Sequence, residues 1–241
     1  MLRAAGEDLP RRALAEFVGT AFLLIAVIGS GIAAQRLSPN DVGLELFENA
    51  AATAAALVAI ILAVGPVSGA HLNPVVTLAD RVFGGVTNSA TAVYVVAQFA
   101  GAVAGAVIAN LMFSLPAVEL STKHRSGSGL WLAEAVATLG LLLVIFGVVR
   151  SGRTSAVPFA VGAYIGGAYF FTSSTSFANP AVTAARTLSD TFAGIAWQSA
   201  PAFVAAQFGG AVVAVFLIRG LYPRVEQVAP AVVLPHEEIT A

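Results

Sequence analysis

Charged residues are spaced along this chain in a way that leaves no soluble surface to build. Asp, Glu, Lys and Arg are absent from Asn49 to Ala79, from Val82 to Val118, from Thr154 to Ala185 and from Thr191 to Ile218. Two further stretches hold one acid each: Glu16 between Arg12 and Arg36, and Glu134 between Arg125 and Arg150. A helix needs roughly 20 predominantly apolar residues to cross a bilayer. These stretches predict an all-α membrane protein with spans at 13–35, 48–66, 89–113, 129–150, 156–173 and 197–221. Composition agrees: 10% of residues are charged, against about 25% in soluble domains.

The same arithmetic removes whole classes of function. A net charge of -1 offers no basic face for nucleic acid. With no Cys and 3 His, there is no thiolate chemistry and little to hold a metal. The spans contain no nucleophile–base set and no phosphate-cradling Gly-rich motif, so neither an enzyme nor a cofactor is expected. The first apolar run is too long for a cleavable signal. Gly101 and Gly105 form a small-xxx-small step, which reads as a helix-packing face.

Two charge-free stretches are too long for one helix. Beyond its span, the first continues through Gly65-Pro-Val-Ser-Gly-Ala-His-Leu-Asn-Pro-Val-Val-Thr-Leu-Ala79, and the second through Ser173-Ser-Thr-Ser-Phe-Ala-Asn-Pro-Ala-Val-Thr-Ala-Ala185. Gly, Ser and Pro break the helix, and the second part of each can restart one. Such backbone is tolerated at membrane depth only when buried in protein or lining a water-filled cavity. These are read as re-entrant segments.

The chain is also a repeat. Asn73-Pro-Val-Val-Thr matches Asn179-Pro-Ala-Val-Thr, Gln98-Phe-Ala-Gly matches Gln207-Phe-Gly-Gly, and Ala15-Glu16 matches Ala133-Glu134, in one order. Each half holds three spans, so the second half enters the membrane inverted and the Asn-Pro segments meet from opposite faces. The expected parts are a cytoplasmic N-terminus (1–12), a first repeat (13–113), a linker (114–128), a second repeat (129–222) and a cytoplasmic tail (223–241). Arg3, Arg11, Arg12, Arg81, Arg150, Arg153, Arg219 and Arg224 fall on one side. Arg36, Lys123, Arg125 and Arg186 fall on the other. The excess places both termini in the cytoplasm, and the tail from Glu226 to Ala241 reads as disordered.

Pro favours the first helical turn and Asn the cap before it. Pro74 and Pro180 therefore start half-helices of about nine residues, some 13 Å long at 1.5 Å each. Their facing N-termini carry partial positive charge that repels cations. The Asn73 and Asn179 amides offer donors to a neutral solute. The pore midplane is assigned to Asn73, Pro74, Val75, Asn179, Pro180 and Ala181.

Ser68-Gly-Ala-His-Leu-Asn-Pro-Val-Val-Thr77 and Phe177-Ala-Asn-Pro-Ala-Val-Thr183 resemble the paired Asn-Pro-Ala signatures of the aquaporin/aquaglyceroporin (major intrinsic protein) family. The resemblance runs from about Leu14 to Tyr222 and includes Glu16, Glu134, Gln98 and Gln207. It implies a six-helix channel with two half-helices and a homotetramer with one pore per subunit. The run from Asn179 to Gly194 looks like the bacterial branch often associated with arsenical resistance.

Two departures bear on selectivity. Asn-Pro-Val stands where the first Asn-Pro-Ala is usual. The arginine that usually follows the second signature is replaced by Val182. Counting back without gaps puts the other outer-filter positions on Thr53, Gly167 and Ser176. That ring is expected to be wide and without fixed charge. It would pass water, glycerol-type polyols and undissociated metalloid hydroxides such as arsenite; a generic wide pore is the plainer alternative. Arg186, one turn beyond Val182, either faces the outer vestibule or pairs with Asp190 at i,i+4.

Glu16 and Glu134 are read, with Gln98 and Gln207, as acceptors and partners for re-entrant N–H groups. A proton-coupled transporter of a small neutral solute using the two acids is the alternative. His71 is read as bracing its loop or sensing pH at the inner mouth. Trp131, Trp197 and Tyr222 read as interface anchors. The expected location is the plasma (inner) membrane, with the lipid bilayer and small neutral solutes as partners.

Overall fold

Helix ends follow local chemistry. Pro10 opens the first helix at a position that needs no N–H. The Asp41 side chain accepts from Leu44 N at 2.9 Å and starts the second. Gly69, in the left-handed region at φ +89°, ends it. In this computed structural model, which describes residues 8–222, six helices are long and apolar enough to span a membrane. They are α1 (Leu9–Leu37), α2 (Val42–Ser68), α4 (Asn88–Met112), α5 (Ser128–Arg150), α6 (Val157–Phe171) counted with the turn before it as one span (Thr154–Phe171), and α8 (Ala200–Leu221). A 3-10 turn, Thr154–Ala156, leads into α6. Two short helices, α3 (Pro74–Phe83) and α7 (Pro180–Ala185), each begin at an Asn-Pro step.

The expected spans are all present, with α1 and α2 starting earlier than expected. Arg11, Arg12, Glu45 and Glu48 end an apolar stretch but not a helix, because the backbone stops only at its caps. Arg3, Arg224 and the tail lie outside the described residues.

The halves pack alike. α1 lies against α4 and α2, α5 lies against α8 and α6, and α2 meets α6 across the two halves. Two equivalent glycines allow the closest approaches. A Cβ on Gly101 would collide with Phe17 O, and one on Gly210 with Ala135 O. Each glycine lies three residues past its glutamine, and each carbonyl belongs to the residue after its glutamate. The small-xxx-small step is thus a packing face, with Gly105 held equally close to Ala21 O.

Candidate functional site

The two loops before the half-helices share an uncommon backbone. Ala70 and Leu72 have φ of 49° and 51°, and the equivalent Ser176 and Ala178 have 50° and 48°. Non-glycine residues in this region cost about 1–3 kcal/mol each and persist only where surroundings over-determine them. Here a buried carboxylate does so. Glu16 accepts from Ser68 Oγ (2.6 Å), His71 N (2.9 Å), Leu72 N (2.7 Å) and Gln98 Nε2 (2.8 Å). Glu134 accepts from Phe177 N and Ala178 N (both 2.9 Å) and Gln207 Nε2 (2.6 Å). The glutamines also donate to Thr77 and Thr183 Oγ1, each at 2.9 Å. Those hydroxyls bond back to Asn73 O and Asn179 O.

Each asparagine serves both loops. Asn73 Oδ1 caps α3 at Val75 N (3.1 Å), and Asn179 Oδ1 caps α7 at Ala181 N (3.0 Å) and Val182 N (3.2 Å). Asn73 Nδ2 donates to Ala178 O and Asn179 Nδ2 to Leu72 O, both at 2.8 Å. An amide nitrogen has two hydrogens, so one remains on each for the space between the loops.

That space is a cavity of about 320 Å³. One side is the loops, with His71, Asn73, Ser176 and Asn179. The other is apolar side chains of α1, α2, α5 and α6, among them Val27, Leu57, Ile61, Ile145 and Ile165. Pro74, Val75, Pro180 and Ala181 are buried behind the loops and are not among its lining residues. Glu16, Glu134, Gln98 and Gln207 also stand outside the lining, fully buried. His71 lines the cavity, packs edge-on to Tyr94 at 5.3 Å between ring centroids, and bonds Thr77 Oγ1 through Nδ1 at 3.1 Å.

Of the four expected filter residues, Thr53, Ser176 and Val182 line the cavity and Gly167 does not. Gly167 is exposed on the outer side of α6. Tyr169 takes its place, its hydroxyl 3.3 Å from Thr53 Oγ1. The ungapped count missed by two residues, and two residues turn a helix by about 200°. The signal was the stripe Val161, Ile165, Tyr169 at intervals of four, which lies on one face.

The cavity lining also includes a charged residue. Arg186 is 2% exposed yet lines the same cavity. Its guanidinium lies 3.4 Å from the Phe177 ring centroid, and its Nε donates to Ala193 O. It does not pair with Asp190, whose carboxylate accepts from Thr122 N at 2.9 Å and Thr122 Oγ1 at 3.1 Å. After Ala185 the chain tightens into a 3-10 turn, Arg186–Leu188. The linker bonds this turn through Ser121 N to Thr187 O and Glu119 N to Leu188 O. The straight-helix spacing behind an Arg186–Asp190 pair therefore fails.

Arg125 and Lys123 lie near Arg186, outside the cavity lining. Arg125 stands 5.2 Å from the Phe177 ring and donates to Gly194 O. Lys123 donates to Phe192 O at 2.9 Å. Partial burial, with Arg125 and Arg186 nearby, pushes its ammonium down to about 8. Trp131 and Trp197 are exposed near helix ends, whereas Tyr222 packs against the core near Gly147.

With this geometry in place, likeness to known proteins is informative. A model of the Major intrinsic protein family matches residues 4–176. The chain is 48% identical to "Aquaglyceroporin AqpS" of Rhizobium meliloti (strain 1021) over 227 residues, covering 92% of this chain and 97% of that protein. It is 32% identical to "Probable aquaporin AqpM" of Archaeoglobus fulgidus, covering 88% of this chain and 97% of that one. Among solved structures, the aquaglyceroporin from Plasmodium falciparum superposes with a TM-score of 0.68 at 22% identity. That match covers 91% of this chain and 99% of the other, and shows the shared fold.

Proposed function

The chain belongs to the major intrinsic protein family, and on that premise we propose that it is a passive channel for small uncharged solutes: water, glycerol-type polyols and undissociated metalloid hydroxides such as arsenite. The observation that carries this reading is the two-sided lining. Loop backbone and asparagine amides face the hydroxyls of a polyol, and the aliphatic wall faces its carbons. The two half-helix starts present partial positive charge to any cation. An aquaglyceroporin relative nearly as long as this chain supports the same solute class. Coupled transport is disfavoured because both buried acids hold loop backbone and neither lines the cavity.

In this reading the outer filter is Thr53, Tyr169, Ser176 and Val182. The chain forms a homotetramer with one pore per subunit, in the plasma (inner) membrane with both termini cytoplasmic. The two repeats (13–113 and 129–222) flank the linker 114–128.

Stopped-flow light scattering on proteoliposomes tests it. Water, glycerol and arsenite should move down their gradients without saturation and without response to a pH gradient. Val182→Arg should suppress glycerol and arsenite more than water. Undiminished flux of the larger solutes would remove Val182 from the filter; proton-driven accumulation would replace the channel with a transporter.

A further inference from the structure

The arginine expected after the second signature is absent from the helix start, yet a guanidinium lies in the same cavity. It comes from one turn further out. Its position is determined twice, by the Phe177 ring face at 3.4 Å and by the bond from Nε to Ala193 O. Among the described residues it forms no salt bridge, and its Nη groups make no hydrogen bond. Asp190 is held by Thr122, and Glu134 by Phe177 N, Ala178 N and Gln207. A second polar group is also left over. Ser176 lines the cavity, and its buried Oγ has no partner.

Resting on the channel reading, we infer that Arg186 is the specificity-determining cation of the outer constriction, and that its Nη donors act with the Ser176 hydroxyl on the O–H groups of a passing neutral polyhydroxylated solute. A guanidinium only donates, so it takes the lone pairs of a solute oxygen. A serine hydroxyl also accepts, so it takes the hydrogen. One solute O–H is thereby read at both ends, a chemistry shared by polyols and undissociated metalloid hydroxides. The unpaired charge also stands in the path of hydronium, with Lys123 and Arg125 nearby adding positive potential. Val182 leaves space at the helix start, and Arg186 restores charge without filling that space.

Full-length protein in proteoliposomes separates charge from hydrogen bonding. Arg186→Lys keeps the charge and loses the planar fork. It should hold protons out and lower the glycerol-to-water and arsenite-to-water permeability ratios. Arg186→Gln removes the charge, and proton leak measured with a trapped pH dye should rise tenfold or more. Ser176→Ala deletes only an unpartnered hydroxyl, so it remains informative if the arginine variants fail to fold. Its glycerol-to-water ratio should fall about threefold, the scale of one hydrogen bond. A fall in both solute ratios supports the shared O–H chemistry, and a fall for glycerol alone confines it to polyols. A wild-type glycerol ratio in Ser176→Ala or in folded Arg186→Lys, or a wild-type proton leak in folded Arg186→Gln, overturns the inference. A wild-type protein that moves no glycerol overturns the channel reading instead.

Discussion

On the first loop Glu16 gathers Ser68, His71, Leu72 and Gln98; on the second Glu134 gathers Phe177, Ala178 and Gln207. Up to the asparagine the two are near copies, with positive φ at the same positions. Beyond it they part. α3 continues to Phe83 and ends at a left-handed Gly84, whereas α7 stops at Ala185 and tightens into a turn bonded to the linker. The bracing belongs to the repeat. The side chains that distinguish the two loops are few: His71 stands against Phe177 before the asparagine and Asp80 against Arg186 beyond it, whereas Val182 is matched by Val76.

The largest effect should come from removing the braces. Glu16→Ala orphans the four donors named above and Glu134→Ala orphans three. An unsatisfied buried donor costs about 1–3 kcal/mol, so the losses should be at least about 4 kcal/mol for Glu16→Ala and at least about 3 kcal/mol for Glu134→Ala, large values for one substitution. Thermal unfolding in detergent, followed by loss of the monodisperse species, should rank Glu16→Ala as the worse. If Glu134→Ala is worse, the number of donors is not what sets the cost.

Next come the helix contacts. Gly101→Val and Gly210→Val each drive a side chain into a backbone carbonyl, Phe17 O or Ala135 O. Overpacking of this kind costs about 1–3 kcal/mol, and the symmetry requires similar values for both. Gly209 has no atom within 4 Å of an added Cβ. Gly209→Ala should therefore leave the melting temperature unchanged or higher. Unequal losses at Gly101 and Gly210 would end the equivalence of the two helix pairs.

A smaller difference separates the asparagines. Asn73→Ala loses one cap bond and Asn179→Ala loses two, along with one cross-loop bond each. A lost cap costs roughly 1 kcal/mol. Both variants should lower the melting temperature modestly, Asn179→Ala slightly further.

Most of this architecture could be read from residue order. The charge gaps gave the spans, and the matched Glu, Asn-Pro and Gln-Phe steps gave the repeat. The half-helices were legible because Asn-Pro is a cap followed by a first-turn proline. What could not be read was rotational. Gly167 and Tyr169 differ by two places in the chain but point to opposite sides of α6. The left-handed backbone at Ala70, Leu72, Ser176 and Ala178 left no trace, because none of them is glycine. For Arg186 one of two readings fails: the pair with Asp190 is prevented by the turn bonded to the distant linker, while the reading that turned it toward the vestibule agrees with its place in the cavity lining.

The smallest effect on permeability concerns the visible mismatch between the two signatures. Val75 stands where the second loop has Ala181, and both are completely buried behind their loops, outside the cavity lining. Val75→Ala removes two buried carbons, worth about 1–2 kcal/mol at roughly 0.8 kcal/mol each. It leaves every pore-facing atom in place. Ala181→Val adds the same volume to a site packed for a methyl group, where overpacking costs about 1–3 kcal/mol. Both variants should melt earlier and keep wild-type water and glycerol permeability per folded channel. A shift in the glycerol-to-water ratio with Val75→Ala would mean that the first loop moves with its packing. Selectivity would then reside in both loops, and no longer in the outer flank alone.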